Sequence, residues 1–92
     1  MIRVNCTMLI EKSDNRKPLV EAATELVELS LKDRGCISYD LYGSLTNDDH
    51  LMIVETWKSQ RDLNDHMASE HFLRLVPKLE SMSTMTLEQF DF

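Results

Sequence analysis

Apolar and polar positions alternate along the first ten residues, with Ile2, Val4, Cys6, Met8 and Ile10 on one side and Arg3, Asn5, Thr7 and Leu9 on the other. A period of two predicts a β-strand. The spacing then becomes helical: Leu19, Ala22, Ala23, Leu26, Val27 and Ser30 share one stripe, while Glu21, Glu25, Glu28 and Lys32 face water. Pro18 suits a helix's first turn, where its missing donor costs nothing. The pattern predicts a helix to about Arg34, closed by Gly35 in the left-handed conformation. Alternation returns from Cys36 to Leu45, with Ile37, Tyr39 and Leu41 opposite Ser38, Asp40 and Tyr42. The polar residues Thr46 to Asp49 predict a hairpin turn. From His50 to Lys58, Leu51, Ile53, Glu55 and Trp57 oppose Met52, Val54 and Thr56, so both faces of this strand carry apolar side chains. A helical stretch follows from Ser59 through Leu63, His66 and Met67, pauses near Ser69 and resumes to about Leu79, with Pro77 expected to break or bend it. Alternation over Met82 to Phe92 predicts a fourth strand.

The order β-α-β-β-α-β is that of the split βαβ, ferredoxin-like α+β fold, in which helices cover one face of a four-stranded antiparallel sheet. Ninety-two residues, 42% of them hydrophobic, are expected to form one domain over residues 1–92. So short a chain has a modest core of its own, and an uncovered apolar sheet face attracts a partner. A homodimer through that face is expected. Asn5 marks the mixed side of strand one, which is assigned to a pocket; the all-apolar side from Ile2 to Ile10 is assigned to the dimer.

Sixteen acidic and ten basic residues give a net charge of −6, which repels nucleic acid and anionic membrane surfaces. Cys6 and Cys36 lack metal-ligand spacing and sit in apolar settings, as reduced core residues do. The N-terminal stretch carries Arg3 and Asn5 and has no small-residue cleavage site, and no run reaches membrane-spanning length. A cytoplasmic location is the expectation.

Candidate chemistry concentrates between Gly35 and Leu79. Trp57 can wall a pocket and donate its indole N–H, and it serves packing equally well. Glu55 shares its face, and a buried carboxylate there needs a partner or a raised pKa. His66 titrates near neutrality and can accept a phenolic proton. His71 follows five positions later, turned about 140° around an ideal helix, so a continuous helix cannot bring both rings to one metal; only a break near Ser69 relaxes that limit. No metal is expected. His50 lies in the hairpin and reads as solvated. Asn5, polar within an otherwise good strand, is the kind of local inconsistency found at functional sites. With only Gly35 and Gly43 there is no phosphate-binding glycine loop, and six methionines suit an adaptable apolar lining.

Gly35, Cys36 and Tyr39, then Glu55-x-Trp57, Leu63, His66, Ser69, His71 and Phe72, together resemble the antibiotic biosynthesis monooxygenase domain family, including its quinol-monooxygenase-like members. The resemblance covers nearly the whole chain. It implies a dimeric α+β barrel and oxygenation of a phenolic or quinol-type aromatic by O2 without flavin, haem or metal. On that reading His66 is the catalytic base, Asn5 and Trp57 donate to the substrate oxygen, and Tyr39, Glu55, His71 and Phe72 contact the substrate, with no cofactor. Haem-degrading relatives pair a first-strand Asn with a helix Trp and, ten residues on, an axial His. Here Asn5 matches, but His66 and Val76 occupy the other two places, which argues against haem ligation. Other members isomerise small sugar-derived signals, and a phosphorylated ligand would call on Arg3, Lys12, Arg61 or Arg74. A non-catalytic binding or stress-response module is the remaining alternative.

Overall fold

The computed structural model describes every residue from Met1 to Phe92. Strand β1 (Ile2–Leu9) leads through a single 3-10 turn at Ser13–Asn15 into helix α1 (Arg16–Ser30). Strands β2 (Cys36–Gly43) and β3 (His50–Trp57) form a hairpin, followed by helices α2 (Gln60–Met67) and α3 (Glu70–Met82) and strand β4 (Thr84–Asp91). The strands lie in the order β2-β3-β1-β4 and every pairing is antiparallel. The fold is the ferredoxin-like one that the alternation predicts.

The two faces of the sheet are used the other way round from the expectation. Ile2, Val4, Cys6 and Met8 are buried with Leu51, Ile53 and Trp57 against Leu19, Ala23, Leu26, Leu75 and Leu79 of the helices. Helix stripes this apolar need an equally apolar floor, and the uninterrupted side of β1 is the one that supplies it. The mixed side, with Arg3, Asn5 and Thr7, therefore faces away from the helices. There Arg3 Nε–H donates to Thr56 Oγ1 at 2.9 Å, and Asn5 lies between Val54 and Glu88 in register.

Element ends differ where loops decide them. Helix α1 stops at Ser30, with Leu31 as its C-cap, so Asp33 belongs to a turn and not to a helix face. Gly35 does take a positive φ of 78°, but four residues further on, in the turn that enters β2. A β-bulge between Cys36 and Ser38 turns Ile37 outward, 51% exposed, against the expected alternation. Pro77 does not end α3. The carbonyl it leaves without a donor belongs to Leu73, on the solvent side of the helix, where water can serve it. No helix is long and apolar enough to cross a membrane.

Candidate functional site

Glu55 and Trp57 follow each other on the helix-facing side of β3, both at most 5% exposed. The Trp57 indole N–H donates to Glu55 Oε1 at 2.9 Å. Tyr39, the cross-strand partner of Glu55 on β2, closes the side of this pair, its ring edge-on to Trp57 at 6.3 Å between centroids. From above, His66 of α2 lies over the Trp57 ring at 4.6 Å and an interplanar angle of 32°. Its Nδ1 meets Asp33 Oδ2 at 2.7 Å, and His71 Nε2 meets the same oxygen at 2.7 Å. Phe72 sets its edge against His66 at 5.3 Å.

The local sequence explains the convergence. Ser59 caps α2 by accepting from the Asp62 N–H, and Ser69 caps α3 by accepting from the Phe72 N–H. The Ser69 hydroxyl also donates to the His66 carbonyl at 2.6 Å, so one side chain fixes both the end of α2 and the start of α3. The chain turns at Ala68 and Ser69, and His71 comes round onto the side of His66. The two ring centroids are 5.8 Å apart. The continuous helix that would have kept them apart does not exist.

Burial governs the electrostatics. It pushes the Glu55 carboxyl up to about 7, against the hydrogen bonds from Trp57 and Tyr39 that favour the charged form. Tyr39 is driven far above the ordinary phenol range by burial, with the charge of Glu55 adding to it. His66 is lowered by burial, partly offset by its hydrogen bond to Asp33. Burial also raises Cys6 to about 12 and Cys36 to about 11, so neither is a ready thiolate. His66 Nε2 has no hydrogen-bond partner, although Glu55 Oε1 lies 4.0 Å away.

An apolar cavity of about 50 Å3 lies between the sheet and α3, lined by Cys6, Tyr39, Ile53, Phe72, Val76 and Leu87 among others, with Glu55 its single charged group. Of the residues singled out in the sequence, Tyr39, Glu55 and Phe72 line it. Trp57, His66 and His71 lie outside the lining, with the His66 ring 4.6 Å from that of Trp57 and 5.8 Å from that of His71 between centroids. Asn5 is not brought to them: it points to the other face of the sheet, where its buried Oδ1 finds no partner. None of Arg3, Lys12, Arg61 and Arg74 lines the cavity. Arg74 is instead engaged at the surface by Glu25 and Glu70.

The residue missed in the sequence is Asp33, the carboxylate that both histidines share. With α1 expected to reach Arg34, Asp33 falls inside a helix end, and its one distinguishing mark in the sequence is its place two residues before a left-handed glycine. Asp33, His66 and His71 each offer one ligand atom within 4.8 Å of the others, a set able to hold a metal ion.

The family model described as antibiotic biosynthesis monooxygenase matches residues 1–78. A conserved protein of unknown function from Bacteroides thetaiotaomicron VPI-5482 has a solved structure that superposes with a TM-score of 0.95, at 40% identity over 99% of this chain and 96% of that one. An uncharacterized protein of Synechocystis sp. is 28% identical over 67 residues, 73% of this chain and 46% of its own length. The chain thus spans less than half of that relative. YcnE of Bacillus subtilis, which carries the provisional name of a monooxygenase, is 25% identical over 77 residues, 84% of this chain and 81% of its own.

Proposed function

Since the chain belongs to the antibiotic biosynthesis monooxygenase family, we propose that it oxygenates a phenolic or quinol-type aromatic with O2 in the cavity beneath α3, using no organic cofactor. The observation that carries this reading is the composition of the cavity: an apolar lining with one carboxylate, Glu55, raised by burial to about 7. An acid tuned near neutrality, in hydrogen-bond reach of a ligand in an apolar site, is suited to general-base work.

In the proposed reaction Glu55 takes the phenolic proton, and the electron-rich anion reduces O2 directly. A hydroquinone and O2 give a hydroxyquinone and water, so all four electrons come from the substrate. One oxygen atom becomes the new ring hydroxyl and the other leaves as water; of the three hydrogens released, one from the ring carbon and two from the original hydroxyls, two go to the water and one to the new hydroxyl. Trp57 holds Glu55 through its indole N–H, and His66 stands behind as a second place for the proton. Tyr39 and Phe72 are the walls against which a flat ring packs. At about 50 Å3 the cavity is well below the roughly 300 Å3 of typical ligand pockets. Entry of a ring therefore requires the walls to part, at the side where Leu87 is 67% exposed. A second copy of the chain is proposed to cover the open face of the sheet.

A quinol panel incubated with and without oxygen tests the reading. Product is expected only with oxygen, and Glu55→Gln, which keeps the shape and the Trp57 hydrogen bond, should lower kcat by about two to four orders of magnitude, the range of general-base catalysis. Equal turnover without oxygen, or an unchanged rate in Glu55→Gln, overturns it. A phosphorylated, sugar-derived ligand is disfavoured because the cavity presents no cation to a phosphate.

A further inference from the structure

We propose that Asp33, His66 and His71 form a binding site for a divalent first-row transition-metal ion of the zinc type, with Asp33 Oδ2, His66 Nδ1 and His71 Nε2 as its ligands. The site goes beyond the monooxygenase reading and does not rest on it.

The geometry is close to that of a coordination sphere. Zinc bonds of about 2.0 to 2.2 Å to nitrogen and oxygen set tetrahedral ligands roughly 3.4 Å apart. Here both Asp33–histidine separations are 2.7 Å and all three atoms lie within 4.8 Å of one another. Small shifts of each side chain admit an ion. The three ligands come from three elements, the turn after α1, the last turn of α2 and the first turn of α3, and the Ser69 bridge holds the last two in place. Two imidazoles with one carboxylate select zinc and its neighbours over magnesium or calcium, which demand oxygen donors.

A second, independent observation is the buried Nε2 of His66, which has no partner. An ion on Nδ1 places the ring proton on Nε2, and that N–H then faces Glu55 Oε1, 4.0 Å away. A carboxylate behind a ligating histidine is the usual outer shell of such sites. At 4.0 Å the Glu55 contact is an approach and not a hydrogen bond; a small turn of the ring on metal binding would give the buried nitrogen the partner that the metal-free hydrogen bonds do not supply. The side chains of His71 and Asp33 are 15% and 20% exposed, so the ion's remaining coordination position opens to solvent. Occupation is felt in the cavity: it converts the group behind Glu55 from a lone pair into a donor.

Chelator-treated protein titrated with zinc chloride, followed by calorimetry and thermal unfolding, tests the proposal. One ion per chain is expected, with a micromolar dissociation constant and a raised Tm, since an ion that binds only the folded state stabilises it. Cobalt in the same site should show visible ligand-field absorption. Asp33→Asn and His71→Ala should each weaken zinc binding by more than about tenfold, beyond what loss of an outer-shell partner alone does at its least. His50→Ala and Cys36→Ser should leave it unchanged. Circular dichroism on each variant separates lost binding from lost folding, and the partly exposed His71 is the residue least able to disturb the fold. No saturation below millimolar zinc, binding unchanged in both ligand variants, or binding abolished by His50→Ala or Cys36→Ser overturns the assignment.

Discussion

At the scale of single residues, Glu55 concentrates the tension of the site. Its carboxyl rises from the ordinary 4.5 to about 7 mainly through burial, so between those values the folded chain binds a proton that the unfolded chain does not. That contribution to stability is complete below about pH 4.5 and disappears as pH rises through about 7, where the buried group must carry charge. Glu55→Gln removes the charge and keeps an acceptor for the Trp57 N–H. In chelator-containing buffer it should be more stable than the parent at pH 8, by about 1 to 3 kcal/mol, with the gap closing at pH 5. Urea midpoints at the two pH values measure this, and a gap of equal size at both would deny that Glu55 titrates in the folded state. Period-two alternation made this residue legible, because it placed an acid between Ile53 and Trp57 on a face that had to be buried. Asp33 was not legible: its role depends on α1 ending at Ser30 and on partners 33 and 38 residues away.

The elements were legible where periodicity is strong, and less so where single residues end or interrupt them. Pro77 carries a helix-breaking signal, yet α3 runs past it to Met82 because Leu75 and Leu79 on either side are buried in the core. Tertiary burial outweighs the local penalty there. Pro77→Ala should restore a donor to the Leu73 carbonyl and relieve the ring's clash with the preceding turn. The expected gain is about 1 to 3 kcal/mol, read as a higher denaturation midpoint; an unchanged midpoint would show that the helix has already relaxed around the ring. Gly35 carries the opposite constraint. Its φ of 78° disfavours any side chain, and a Cβ there would run into the Asp62 side chain. Asp62 is held by Ser59 at the start of α2, so the clash falls on the helix that delivers His66. Gly35→Ala should cost about 1 to 3 kcal/mol from the backbone alone and more from the contact. Its thermal midpoint should drop, with loss of the His66 packing visible in Trp57 fluorescence. The bulge beside this glycine escapes a strict alternation rule, which is why Ile37, grouped by alternation with Tyr39 and Leu41, is exposed while Tyr39 is buried.

For the whole molecule, the sequence pattern carried the order of elements and the need to cover two sheet faces, but not which face serves which purpose. That choice depends on matching areas across the sheet, and the helices took the all-apolar floor. The face left open combines Leu9, Tyr42, Met52, Val54 and Phe90 with Arg3, Asn5 and Glu88, and Tyr42 and Phe90 are 55% and 50% exposed. A monomer rarely leaves so many large apolar groups together, and so small a core gains from a partner. We therefore expect sedimentation equilibrium to give a dimer, with a Tm that rises with protein concentration. Val54 sits near the middle of this face, across from Asn5 on one side and Asp40 on the other. Val54→Lys sets a cation opposite Asp40, a favourable cross-strand pair in the isolated chain, while burying an unpaired charge in any dimer through this face. The variant should sediment as a folded monomer whose Tm no longer depends on concentration. If it remains dimeric, the copies meet elsewhere, and the exposed inner edge around Leu87 on β4 is then the surface to examine, because a partner seated there would also control the parting of the cavity walls.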